Sequence, residues 1–209
     1  GVDMKSTSLF RIGGVAVLLS AILTGISRLI YFLSGQPDLP FTPDMWRGIF
    51  AGSLMVLGLG ALFARQSQQG GLLGLIGYVF IMSANVYFVA SDAIGLGVAA
   101  GVISYDQIAQ VPSYALADSL LLWVWVVGLL AFGISIYRAQ VFPKYAGQLL
   151  LLVGLLQLLA APLAFTRPIY AVCYFVAWAW LGWDLYARAG MQKDEQQTAR
   201  QGATAKALR

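Results

Sequence analysis

Six stretches of this chain are apolar for long enough to cross the hydrocarbon core of a membrane, and nothing else limits the fold so strongly. A core of about 30 Å takes roughly 20 helical residues. Inside it, every backbone N–H and C=O must be satisfied within the structure, which leaves helices or closed barrels. The stretches fall at approximately 10–33, 45–64, 71–101, 114–137, 146–166 and 168–187. Their lengths predict an all-α fold, a polytopic membrane protein built as a bundle of six transmembrane helices. The third stretch is overlong. Its spanning part is expected to end near Asp92, with Gly95, Gly97 and Gly101 forming a re-entrant or interfacial piece.

Composition agrees: 59% of residues are hydrophobic and 11% charged, against about 25% charged in a typical soluble domain. Gly1-Val2-Asp3 ahead of Met4 reads as a tag remnant, and residues 1–9 as a cytoplasmic N-terminus without a secretory signal. Residues 10–189 form the transmembrane domain, and 190–209 a basic cytoplasmic tail, read either as an anchor to anionic headgroups or as a solvated helix extension. Arg65–Gly71 and Gln140–Lys144 read as tight polar turns. The connector Gly35–Asp44, with Pro37, Pro40 and Pro43, reads as a non-helical crossing. Arg167-Pro168 is expected to open the last helix, with Pro168 at its first position.

Charge sets the orientation. Of 13 Lys and Arg residues, Lys5, Arg11, Arg65, Arg138, Lys144, Arg188, Lys193, Arg200, Lys206 and Arg209 fall on one side, and Arg28, Arg47 and Arg167 on the other. The positive-inside rule then places both termini in the cytoplasm, in a cell membrane such as the bacterial inner membrane. The net charge of +4 is distributed over segment ends rather than in a patch interleaved with aromatics, so no nucleic-acid partner is expected.

Missing residue types exclude chemistry. The chain has no His and one Cys, Cys173, which removes His-ligated haem, His-containing zinc sites, Ser-His-Asp catalysis and CxxC redox pairs. All lysines lie near segment ends or in tails, and Glu195 lies in the tail, so aspartates are the intramembrane acids. No cofactor, metal or catalytic residue is expected.

The polar groups that do enter apolar sequence are the candidate site. The run Ser83–Asp92 (SANVYFVASD) carries Asn85, Ser91 and Asp92. Asp118 lies a turn into the fourth helix, and Arg28 and Arg47 fall at similar depth. Charged side chains in lipid rarely face it and usually pair with one another. An Arg28/Arg47 with Asp92/Asp118 network is therefore expected, walling a pocket with Tyr87 and Tyr114 close by. The alternative is that Arg28 and Asp92 snorkel to the headgroups. Tyr174 and Trp178 belong to a stripe with Tyr170 that either lines a cavity for an apolar ligand or packs helices. Asp184 and Arg188, at i and i+4, are expected to form an ordinary ion pair. Gly48/Gly52, Gly97/Gly101 and the Gly70/Gly74/Gly77 series allow close helix contact, within a monomer or with a second copy or partner membrane subunit.

The region Val127–Arg138, then Val141-Phe-Pro-Lys-Tyr-Ala-Gly147 and Leu149–Leu159, resembles a family of prokaryotic six-helix integral membrane proteins. Their mark is a helix ending in a basic residue, a hydrophobic-Leu/Phe-Pro-Arg/Lys turn and a Leu/Gly-rich helix. The resemblance implies six helices with cytoplasmic ends and carries no functional residue.

Three function classes follow. Fitting best is a non-enzymatic protein holding a lipid-like or small apolar ligand between its helices, as sensor, regulator or accessory subunit, with membrane lipids as partners. Second is a small ion- or proton-coupled secondary transporter using Asp92 and Asp118. Last is a membrane hydrolase or transferase with paired aspartates, for which no motif supplies a metal or nucleophile.

Overall fold

Apolar residues with few interior prolines make helix the local outcome almost everywhere. A computed structural model describes residues 3–34, 41–159, 163 and 165–207, with side chains for all of these except 3–6, 28–34, 41–43, 105, 109, 115, 118 and 190–207. The fold is all-α, with no strand among the described residues. The elements are α1 (Asp3–Ser34), α2 (Phe41–Ala99), α3 (Tyr105–Ala109), α4 (Pro112–Ala139), α5 (Lys144–Leu159) and α6 (Thr166–Ala207).

The second and third apolar stretches form two helices that share the label α2, because only Gly71 separates them. α2 is helical throughout except at Gly71, whose φ of 57° and ψ of −160° turn the chain back on itself. Gly48 lies against Asp92 and Gly52 against Val89, pairs placed symmetrically about that residue, so the limbs 41–70 and 72–99 run antiparallel side by side. Phe63 and Tyr78 stack across them at 4.4 Å between ring centroids.

Several expectations are corrected here. The polar residues 65–70 are helical rather than a loop, because Arg and Gln are good helix formers and only Gly71 leaves helical geometry. The glycine-rich end of the third stretch does not break after Asp92. It continues as helix to Ala99, before a turn at Gly101 and the short α3, which Ser104 and Gln107 start with a reciprocal capping box. The proline-rich connector ends earlier than expected, since α2 already begins at Phe41 and includes Pro43; residues 35–40 lie outside the described residues. Among the described residues the fifth stretch forms helix over Lys144–Leu159, and residues 160–162 and 164 lie outside them. α6 starts at Thr166, so Pro168 lies in its first turn, where a missing N–H is tolerated, rather than at its first position. The tail is helical to Ala207, in line with α6.

The rods close into a ring: α1 beside the first limb of α2, that beside the second, then α4, α5, α6 and α1 again. At the α1–α6 crossing Gly14 and Gly182 meet; a Cβ on either would stand within 2.8 Å of the other's carbonyl oxygen. The side chains inside one half of the ring are an apolar core of Met55, Leu59, Ile81, Leu129, Phe132 and Trp178, all fully buried. Arg11, Arg65, Arg138, Lys144 and Arg188 gather at that end, where Arg188 pairs with Asp184 at 2.9 Å as expected and Arg65 sits over the Phe142 ring. Across the ring wall Gln66 Nε2 donates to Ser135 Oγ at 2.8 Å, which in turn donates to the Gly70 carbonyl.

The outer surface is apolar in an inside-out manner. Ile12 is 66% exposed, Leu57 65% and Leu72 71%. Contiguous apolar surface of this kind is unfavourable in water and natural against lipid. Thr7–Ser27, Asp44–Ala99 and Pro112–Ala139 are long and apolar enough to cross a membrane. α5 is shorter, and the Trp- and Tyr-rich sequence of α6 counts weakly on a hydropathy scale.

Candidate functional site

The half of the ring away from the basic end is hollow. A cavity of about 570 Å³ lies on its axis, and every long element contributes to the wall. Each does so at helical spacing, because residues three, four and seven apart share a face. Ser20 and Thr24 come from α1, and Asp44, Arg47, Gly48, Ala51 and Gly52 from the first limb of α2. The second limb supplies Asn85, Phe88, Ser91 and Asp92, and α4 supplies Ser119, Leu122 and Trp125. Gln157 of α5 and Tyr170 and Tyr174 of α6 complete it. From Asn85 to Asp92 the wall rises about 10 Å at 1.5 Å per residue. The apolar core is its floor.

One wall is charged. Asp44 Oδ1 accepts from Arg47 Nε at 2.8 Å, from Arg47 Nη2 and from Ser27 Oγ at 3.1 Å. The remaining guanidinium nitrogen, Nη1, donates to the Leu23 carbonyl at 3.4 Å, so Arg47 ties α1 to α2. Asp92 lies over Gly48 so closely that a Cβ there would stand 2.0 Å from Oδ2. Only glycine leaves room for that carboxylate between the limbs. Asp92 forms no ion pair among the described residues, although Arg47 and Asp44 are near enough for their charges to act on it. Ser91 Oγ lies 3.3 Å from the Tyr114 hydroxyl, joining the second limb to α4, and Asn85 Nδ2 donates back to the Ile81 carbonyl at 2.9 Å.

The opposite side is aromatic. Phe88 meets Trp125 edge-on at 5.7 Å, Trp125 lies 6.3 Å from Tyr174, and Tyr174 lies 6.0 Å from Tyr170. Edge-to-face and tilted arrangements of this kind suit the ring quadrupoles.

Of the residues singled out in the sequence, Asn85, Ser91, Asp92, Arg47 and Tyr174 line one space. Trp178 does not: it is fully buried one turn beneath Tyr174, as floor rather than wall. The side chains of Arg28 and Asp118 lie outside the described residues. Of the expected network only the Arg47–Asp92 pairing is corrected: Arg47 pairs with Asp44 on its own helix instead. Asp44 escaped the sequence reading because it seemed to belong to the proline-rich connector. Its signal was there in the i, i+3 spacing to Arg47, once that connector is recognised as already helical. Phe88 and Trp125 carried no signal of their own, since aromatic residues are ordinary in such helices.

Among the described residues no three of His, Cys, Asp and Glu gather as metal ligands would. Comparisons with protein-family models, with curated proteins and with solved structures find no match to this chain.

Proposed function

We propose that the six rods all cross a membrane with both termini cytoplasmic, and that the protein binds an amphiphilic small molecule in its central cavity as a sensor, regulator or accessory subunit. The observation that carries this is the cavity itself: about 570 Å³, charged on one wall and aromatic on the other. Small-molecule sites usually measure roughly 300–1,000 Å³ and combine apolar lining with a few convergent polar groups. The two-sided lining refines the lipid-like or apolar ligand expected from the sequence, because the Asp92 carboxylate, which forms no ion pair among the described residues, lines the same space as the rings. The polar residues of the wall are Asp, Arg, Asn, Gln, Ser and Thr, with Tyr hydroxyls, a set that supports binding rather than nucleophilic or metal catalysis. The basic end supports a cytoplasmic placement, and the resemblance supports a prokaryotic cell membrane. α5, about 24 Å long, would span with Lys144 reaching to the headgroups.

The direct test is native mass spectrometry of protein released gently from its own membranes. Wild-type protein should carry a stoichiometric small molecule, and Ala51→Phe, which fills the cavity from its wall, should lose it while staying helical. A bare wild-type protein would sink this reading.

A gradient-driven carrier is the second reading, favoured by the Asp92 carboxylate in the cavity wall. Carriers break their helices beside the site, whereas α2 breaks at Gly71, at the opposite end. Uptake into proteoliposomes that Asp92→Asn abolishes would put the carrier first.

A further inference from the structure

We infer that the cavity takes an amphiphilic cation, with an amine or quaternary ammonium group against Asp92 and an apolar body on the rings of Phe88, Trp125 and Tyr174. The inference rests on the binding reading above and adds a charge to it.

Asp44 and Arg47 form an ion pair, and each of the three guanidinium nitrogens already donates once, to Asp44 or to Leu23. Asp92 is left over. Its carboxylate lies close against the α2 backbone at Gly48, where no side chain intervenes; it forms no ion pair among the described residues, and the nearby Arg47 is already paired with Asp44. A carboxylate in a membrane interior without a partner is costly, and a ligand cation removes that cost. An anionic ligand would face the reverse: an unpaired carboxylate, and one arginine already engaged.

The rings point the same way. Phe88 lies one turn below Asp92 on the same helix face, and its ring leads through Trp125 to Tyr174. Aromatic faces attract a cation within about 6 Å of the centroid, most strongly where water is excluded. A carboxylate above a run of rings is thus complementary to a positive group carried on an apolar body. It discriminates against neutral and anionic molecules of the same shape.

The test uses the full chain in nanodiscs of an uncharged glycolipid and three probes of similar size: benzyltrimethylammonium, its neutral isostere neopentylbenzene, and benzenesulfonate. Calorimetry should rank the cation first. Asp92→Asn should weaken the cation by about tenfold or more, as loss of a charge-assisted contact does, and leave neopentylbenzene unchanged. Asp92→Glu should restore part of the preference, and Tyr174→Leu should weaken the cation more than the neutral probe. Equal binding of cation and isostere, a preference for benzenesulfonate, or an Asp92→Asn variant with undiminished cation affinity would each overturn the inference. If the isostere binds as well as the cation, the cavity reading survives and only the charge assignment falls. Failure of all three probes overturns the assignment too, and the native mass measurement then judges the cavity by itself. Repeating the titration in phosphatidylethanolamine nanodiscs separates two sources of the same chemistry. A lipid amine headgroup in the site would weaken the probe there, whereas a soluble amine as natural ligand would leave it unchanged.

Discussion

At the scale of single residues, neighbours on one helix face do different work. Tyr174 borders the cavity, while Trp178, four residues on, is sealed beneath it with its indole N–H unpartnered. Trp178→Ala should therefore act on stability, lowering it by about 3–5 kcal/mol as large-to-small core changes do. A depressed thermal midpoint in detergent checks this. Tyr174→Leu should instead keep most of the midpoint and lose ligand. If both variants shift the midpoint equally, the line drawn between wall and floor is wrong. The sequence could show the four-residue stripe, since helical spacing alone produces it. It could not show where along the stripe the cavity ends, because that depends on how far the side chains of five other rods reach inward. The pairing of Arg47 was likewise hidden: Asp92 and Asp118 were in range by depth, and helix register chose a third aspartate, Asp44.

At the scale of elements, α2 concentrates most of the difference between expectation and structure. Hydropathy drops at Arg65 and recovers at Leu72, which looks like a loop. Backbone geometry answers to helix propensity instead, and residues 65–70 satisfy it. The whole reversal is left to one residue. Gly71 occupies a region of φ and ψ that is essentially closed to side chains, and an Ala there is strained by roughly 1–3 kcal/mol whatever the space around it. Gly71→Ala should lower the thermal midpoint and loosen the contact of the two limbs. Crosslinking between cysteines placed at Ser53 and Val86 would report the loosening. A variant as stable as wild type would show that the limbs, not Gly71, impose the turn. The same hairpin sets the site, because it brings Gly48 beneath Asp92 and places that carboxylate in the cavity wall.

At the scale of the whole molecule, the ring has one filled end and one hollow end, and they coincide with the charge asymmetry: basic residues gather at the filled end and the cavity lies at the other. The orientation we propose predicts a simple labelling result. In a Cys173→Ser background, a cysteine at Gln110 should react with a membrane-impermeant maleimide in intact cells, and one at Gln68 only after permeabilisation. Both positions are exposed, so the reverse pattern would invert the orientation rather than reflect burial. What the amino-acid sequence determined by itself is what local and additive physics controls. Apolar length makes helices, the count of charges makes a membrane-compatible surface, and absent residue types remove whole chemistries. The polar residues it marked in the Ser83–Asp92 run also stand where a cavity is found, because a polar group amid apolar sequence must find a polar place. Only the tertiary structure decided that the cavity exists, that its far wall is aromatic, and that Asp44 rather than Asp92 neutralises Arg47. Those facts depend on helix register and on how closely glycines let rods approach, which are pairwise properties of distant segments that no single stretch of sequence encodes.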